Sequence, residues 1–247
     1  MPARRKPAWR KPDRRRVRAI RDALRAYYGR PRNLAHYAPL DELVLTILSQ
    51  NTNDRNRDVA YARLRDRFST WEAVANAPVA AIEEAIRPGG ISRVKSQRIK
   101  QILEATDRLS LDWLAEAPRQ RALEFLESLP GVGRKTAACV LLFSYDRPEL
   151  PVDTHVYRVA SRLGLIRPRA SFEEAHETLR SLTDPDDVYE LHINLIRHGR
   201  RLCKPQNPLC ERCPLLRLCP YGREEIRRRR TAGAGQTASR RRKDLPQ

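Results

Sequence analysis

Apolar residues recur at intervals of three and four along most of the chain. Leu43, Ile47 and Leu48 form one such stripe; Val59, Ala60, Leu64 and Phe68 a second; Ile82, Ala85 and Ile86 a third; Ile99, Ile102 and Leu103 a fourth. This spacing places side chains on one face of an α-helix. Helix-start signals stand between the stripes. Asp41, Thr70 and Ser171 are candidate N-caps, and Ser171-Phe172-Glu173-Glu174 has the form of a capping box. Pro39, Pro78, Pro118 and Pro185 sit where helices should begin. Alternating apolar–polar runs and Asn-Gly turn pairs, the marks of hairpin-rich β structure, do not occur. The pattern predicts an all-α body from about residue 14 to 202, without internal repeats.

Composition adds a charge. The 247 residues carry a formal net charge of +19, with 40% hydrophobic residues, enough to bury a core. A chain this basic associates with polyanions, nucleic acid first among them. The charge is concentrated at the ends. Residues 1–21 hold a net +9 and residues 220–247 a net +6, which reads as two solvated, disordered basic tails. Such tails raise DNA affinity by counterion release without reading sequence. No apolar run approaches the ~18 residues of a membrane span, so no membrane partner is expected. The N-terminal segment lacks the apolar stretch of a secretory signal, and Pro2, Pro7 and Pro12 interrupt any amphipathic targeting helix. The expected location is with the DNA: cytoplasmic and nucleoid-associated if the source is bacterial, and not secreted.

Four of the five cysteines fall in one short stretch, as Cys203, Cys210, Cys213 and Cys219; Cys139 stands alone in an apolar run and reads as a small buried hydrophobe. Clustered cysteines in a chain of this size without a signal peptide point to metal binding rather than to disulfides. Four thiolates satisfy either zinc or an iron–sulfur cluster.

The segment Leu129-Pro130-Gly131-Val132-Gly133 lies between two helical patterns, one from Leu123 to Leu129 and one from Lys135 to Phe143. It predicts helix, tight turn, helix. Gly131 and Gly133 let the backbone turn sharply and approach another molecule. Val132 can pack back between the helices. The amides that open the second helix form an anion site suited to a DNA phosphate, with Arg134 and Lys135 following at once. The spacing of a phosphate-binding nucleotide loop is missing. Read from chemistry alone, Lys135 is a phosphate contact before it is an amine nucleophile, and Asp153 a helix cap before it is a catalytic carboxylate.

Leu129-Pro130-Gly131-Val132-Gly133-Arg134-Lys135-Thr136-Ala137 resembles the helix-hairpin-helix of the endonuclease III family. Val152-Asp153-Thr154-His155-Val156 resembles that family's catalytic segment, with Asp153 eighteen residues after Lys135, as in the family. The likeness runs from about residue 17 to 220. It implies an all-α, two-lobed helix-hairpin-helix DNA glycosylase fold with a C-terminal Cys-rich iron–sulfur loop, and DNA bound between the lobes. The implied organisation is a basic disordered tail over 1–16, a helical glycosylase body over 17–202 with the hairpin at about 123–145, a cluster loop over 203–219 and a second basic disordered tail over 220–247. The implied activity is that of a bifunctional DNA glycosylase and AP lyase of base excision repair, acting on damaged pyrimidines. Lys135 would form a Schiff base with the sugar and Asp153 would assist. The partner would be double-stranded DNA with a damaged base or abasic site, bound by a monomer. A glycosylase for a mismatched or dimerised pyrimidine, and a non-catalytic DNA-binding module, are the alternatives.

The cysteine spacing is that of the family's [4Fe–4S] loop, which favours the cluster over zinc, with Cys203, Cys210, Cys213 and Cys219 as ligands. Two further stretches align with the loops that the family inserts into DNA when a base is rotated out of the helix. The first contains Gln50 and Asn51; the family usually has Gln where this chain has Asn51. The second, Gly89-Gly90-Ile91, places Ile91 where the family often has a Leu wedge. His192 and His198, on the helix before the cysteines, read as packing or hydrogen-bonding residues rather than ligands.

Overall fold

The computed structural model describes residues 9–32, 37–106 and 110–243, without the side chains of 232–243. Among the described residues the regular structure is entirely helical, with no strand. The chain divides into two compact units, Asn33–Pro151 and Met1–Arg32 together with Val152–Gln247. No helix among the described residues is long and apolar enough to cross a membrane.

The unit Asn33–Pro151 contains α2 (Pro39–Ser49), α3 (Asp54–Arg67), α4 (Trp71–Asn76), α5 (Val79–Ile86), α6 (Ser92–Ala105), α7 (Arg119–Ser128) and α8 (Arg134–Tyr145). Helix α2 is its centre. Every residue from Glu42 to Leu48 is buried, so α2 is covered on all sides, and it packs on α3, α6 and α8. The periodic apolar residues read from the sequence, including Leu43, Ile47, Leu64, Ile82, Ile99 and Leu103, join one core. Local signals act as expected at several ends. Thr70 caps α4 by accepting from the Ala73 amide at 3.1 Å, and Pro78 and Pro118 precede α5 and α7. Asp41 is not the cap of α2; Pro39 begins the helix, leaving Asp41 in its first turn, where it accepts a hydrogen bond from Tyr61.

The other unit contains α1 (Arg14–Tyr28), α9 (Thr154–Leu163), α10 (Phe172–Leu182), α11 (Val188–Arg201) and α12 (Pro220–Lys243). Helix α1 buries Val17, Ile20 and Leu24 and packs on α11. Arg25 forks onto Glu190 of α11 at 2.7 and 2.6 Å, a bidentate pair whose carboxylate is buried. The Ser171–Glu174 capping box forms as predicted, with both reciprocal bonds present.

The ends depart from the expected tails. Helix α1 already begins at Arg14, capped by Asp13, and Trp9 donates its indole N–H to the Gly164 carbonyl at 3.1 Å. After the cysteines the chain is helical from Pro220 to Lys243. Its first turns carry local ion pairs, Glu224 with Arg227 at 3.0 Å and Glu225 with both Arg228 and Arg229. Pairs at these spacings stabilise a helix that composition alone reads as a repelling basic tail. The extreme ends of both expected tails, residues 1–8 and 244–247, lie outside the described residues.

One buried charge fixes the connections around α2. Lys95 of α6 is 2% exposed, and its Nζ donates to the Leu48 carbonyl at 2.7 Å and to the Gly89 carbonyl at 2.8 Å. Burial lowers its pKa. Lys95→Met should cost about 2 kcal/mol, because two buried carbonyls lose their donor and the relieved desolvation offsets only part of that loss. Urea denaturation measures this; an unchanged midpoint would show that water replaces the ammonium.

Candidate active site and cysteine loop

The hairpin forms where the sequence places it. Helix α7 ends at Ser128, Gly131 turns at φ +76°, and α8 opens at Arg134. Leu129 and Val132 are buried, so the turn is anchored by its two apolar residues. The Val132 amide donates to the Leu129 carbonyl at 3.1 Å. No side chain caps α8, and a helix N-terminus of this kind suits an anion.

The two glycines differ in what they require. A Cβ on Gly131 would lie 2.5 Å from Arg98 Cδ, and the positive φ is itself costly for an L-residue. A Cβ on Gly133 would meet nothing within 4 Å, and φ −106° suits any residue. The protein's own packing therefore needs glycine at 131 but not at 133.

Lys135 lies in the first turn of α8, partly exposed. Arg134 precedes it, but its guanidinium is turned inward: it lies 3.5 Å from Glu149 and 3.4 Å from Glu127. Glu149, 4% exposed, also receives Arg119. The sequence expectation of Arg134 as a phosphate-facing charge meets a side chain already engaged with two carboxylates. Its backbone, at the start of α8, remains part of the amide site.

Gln50 and Asn51 follow α2. Gln50 donates to the Gly131 carbonyl at 3.0 Å and accepts from Arg98 at 2.9 Å, so it ties this loop to the hairpin. Asn51 is exposed at φ +52°. Ile91 is 54% exposed at φ +47°, a left-handed conformation unusual for a β-branched residue. It stands immediately before α6, presented by the turn that Lys95 holds. The sequence reading missed Lys95 and Arg98. A signal existed for Lys95: it falls four residues before Ile99, on the apolar face of α6.

In the other unit, Asp153 caps α9, its Oδ1 accepting from the Val156 amide at 2.7 Å. The cap reading of this residue is thus correct as structure, and it fixes where the carboxylate sits. Lys135 and Asp153 belong to different units.

Helix α9 also grips the cysteine loop. Arg158 donates to the Cys203 carbonyl at 2.9 Å, and Arg162 donates to the Lys204 and Pro205 carbonyls at 2.7 and 2.9 Å. Arg162 lies 3.3 Å from Cys203 Sγ as well, and the Gly222 amide donates to Cys219 Sγ at 3.2 Å. Cys203, Cys210, Cys213 and Cys219 line a single pocket with Leu215 and His198. Burial pushes the Cys213 thiol up to about 11 and raises Cys210 and Cys219 too. His198 is held between Tyr28 Oη at 3.2 Å and Cys213 Sγ at 3.5 Å, and burial lowers its pKa to about 4, so it is neutral. It is a hydrogen-bonding residue, as expected. Among the described residues no group of three or more His, Cys, Asp or Glu side chains is arranged to hold a metal ion. The donor set is four sulfurs around one apolar pocket, with N–H groups aimed at two of them; this suits a group that takes one thiolate at each of several corners.

A helix-hairpin-helix with an adjacent lysine, and a separate four-cysteine loop, define the class of protein. The model of the HhH-GPD superfamily of base excision DNA repair proteins matches residues 44–185. Endonuclease III of Thermotoga maritima is 38% identical over 81% of this chain and 92% of its own length. Endonuclease III of Sulfolobus acidocaldarius is 33% identical over 75% of this chain and 83% of its own. Among solved structures, a non-covalent endonuclease III–DNA complex superposes with a TM-score of 0.74 at 31% identity, covering 87% of this chain and 99% of that one. A trapped endonuclease III–DNA covalent intermediate gives the same TM-score of 0.74 at 30% identity. The chain belongs to the HhH-GPD superfamily and, within it, to the endonuclease III family.

Gly131→Ala should destabilise the protein by about 1–2 kcal/mol through its left-handed backbone, with Arg98 displaced from Gln50. Gly133→Ala should leave stability within about 0.5 kcal/mol of the parent. Equal losses in urea denaturation would show that both glycines are structural.

Proposed function

We propose that this protein is a bifunctional DNA glycosylase and AP lyase that removes damaged pyrimidines from double-stranded DNA, acting as a monomer. The observation that carries this is the placement of Lys135 in the first turn of α8, directly after an uncapped helix-hairpin-helix turn. Amides that hold a phosphate beside an amine bring that amine to the sugar attached to the phosphate.

The chemistry follows from the amine. Neutral Lys135 Nζ attacks the anomeric carbon and the glycosidic bond breaks with its electron pair leaving on the base. Nitrogen then loses a proton and its lone pair forms the C=N bond as the C1′–O4′ bond breaks onto the ring oxygen, which takes up a proton, giving the open-chain imine. The imine acidifies the neighbouring C2′. Removal of that proton expels the 3′ phosphate, which is β-elimination and cuts the strand. Asp153 stabilises the cationic sugar and assists proton transfer. The base must leave the helix stack for this attack. Ile91 and Asn51, both exposed on left-handed turns, are suited to enter the gap, and Gln50 supports them by its bond to the hairpin. A separate lesion preference, for a mismatched or dimerised pyrimidine, would reside in these same loops.

Cys203, Cys210, Cys213 and Cys219 would hold a [4Fe–4S] cluster. When bound, it would supply a four-point cross-link for the loop. Lys204, Arg212 and Arg217 ride on this loop and add phosphate contacts.

Borohydride trapping on duplexes carrying an abasic site or an oxidised pyrimidine tests the reading. Wild type should trap on both, and Lys135→Gln should abolish trapping while sparing DNA binding. Asp153→Asn keeps an equally good cap but removes the charge, and should slow trapping by about 10²-fold or more. Trapping that survives Lys135→Gln would refute the Schiff base. Gly133→Ala, neutral for folding, should weaken binding to the abasic duplex; unchanged affinity would remove the turn from the interface. Cys213→Ser should lower iron content and thermal stability together, and full stability without iron would dispose of the cluster.

A further inference from the structure

A second carboxylate lies within the electrostatic reach of Lys135, on a helix packed against the one that carries it. Glu42 is in the first turn of α2, 9% exposed, within the run of buried residues that extends to Leu48. Helix α2 packs on α8, which carries Lys135, and on α3 and α6. The charges that act on Glu42 are Lys135 from α8 and Arg57 from α3. Arg57 is already paired, with Asp58 at 2.7 Å and Asp54 at 3.6 Å. From α6, Lys95 is committed to backbone carbonyls at the far end of α2. One turn along α2, Thr46 donates its hydroxyl to Glu42 Oε1 at 3.1 Å and so fixes the carboxylate's orientation.

Resting on the reading of Lys135 as the nucleophile, we propose that Glu42 is its proton partner: the ionised carboxylate takes a proton from the Nζ ammonium and leaves the neutral amine that attacks the sugar. An O–H bond forms at Glu42 as an N–H bond breaks, and the freed electron pair stays on Nζ. That pair then forms the bond to C1′, displacing the base or, on an abasic aldehyde, pushing the carbonyl pair onto oxygen. The nitrogen gives one of its own protons to that oxygen, and the protonated Glu42 returns the other, so that the oxygen leaves as water and the nitrogen's lone pair closes the C=N bond. Glu42 acts through Lys135 and is a positioning and proton-holding residue.

The protonation balance of Glu42 suits the task. Burial raises its pKa to about 7, against the opposing pulls of Thr46, Lys135 and Arg57. A group that titrates near the working pH both accepts and returns protons. A carboxylate that served only the fold would be unfavourable here. Its folded pKa lies above its unfolded one, so the folded state holds the extra proton and stability falls as pH rises from about 4.5 towards about 7.

The test is the initial rate of borohydride trapping on an abasic duplex across neutral pH, with thermal unfolding of each variant. The wild-type rate should rise with pH through a midpoint near that of Glu42. Glu42→Gln should fold, lose this limb and trap roughly 10²-fold more slowly at neutral pH. Thr46→Val removes the hydroxyl that favours the ionised carboxylate, so its limb should move to higher pH; it decides the matter if Glu42→Gln fails to fold. Failure of the wild type to trap, or trapping by Lys135→Gln, would bring down the nucleophile reading and this inference together. If trapping depends on Lys135 but Glu42→Gln and Thr46→Val keep the wild-type limb, or the rate falls uniformly at all pH, Glu42 is only a structural residue and this inference alone is overturned.

Discussion

Helix α6 holds three loops with two side chains, and the candidate site in its unit depends on that arrangement. Lys95 joins the end of α2 to the Gly89 turn through two backbone carbonyls. One turn further along, Arg98 reaches Gln50, and Gln50 reaches the hairpin at Gly131. The loop of Asn51, the turn before Ile91 and the hairpin are therefore connected by hydrogen bonds rather than placed independently. A buried lysine amine is costly unless it finds hydrogen-bond acceptors. Carbonyls at the ends of two elements are themselves short of donors. Each deficiency satisfies the other, which is why an ionisable residue lies in a core otherwise made of Leu and Ile.

The other unit reaches the same end by a different route. Helix α9 carries Asp153 at its first cap, and one and two turns later it carries Arg158 and Arg162, which bind the start of the cysteine loop. Arginine suits this work because its planar fork serves several carbonyls at once and stays charged. The orientation of the Asp153 carboxylate and the position of Cys203 are thus referred to one rigid helix. The loop buries Leu215 and otherwise depends on these bonds and on whatever its sulfurs hold.

Much of this was legible in the sequence, and the reason differs by element. The hairpin was readable because Leu129-Pro130-Gly131-Val132-Gly133 combines a turn that only glycine tolerates with two apolar anchors, all of it local. The capping box at Ser171 was readable for the same reason. Asp41 was not, since a proline two residues earlier starts α2 and overrides the cap. Arg134 looked like a phosphate contact because sequence shows charge but not its partners; Glu149, fifteen residues away, takes its guanidinium. The basic C-terminal stretch reads as a tail by net charge, yet Glu224 and Glu225 stand three and four residues before arginines, where net charge is the wrong measure and spacing the right one. The cysteine spacing was legible without any structure, whereas the grip of Arg158 and Arg162 on the loop was not, since it joins positions some forty residues apart.

Two buried ionisable side chains lie at opposite ends of α2, and their neighbours set them apart. Lys95 faces only carbonyls, which neither titrate nor exchange a proton with it, so it can do nothing but hold. Glu42 accepts from a hydroxyl and lies within the electrostatic reach of two cations, one of them already paired with aspartates. On the proposal that Glu42 serves Lys135, a proton has two places to rest, because a carboxylate and an amine that act on each other leave two protonation states within reach. Burial alone does not make a residue functional. What distinguishes the two is whether the surroundings bind one protonation state or leave two within reach, and on α2 only the Glu42 end leaves two.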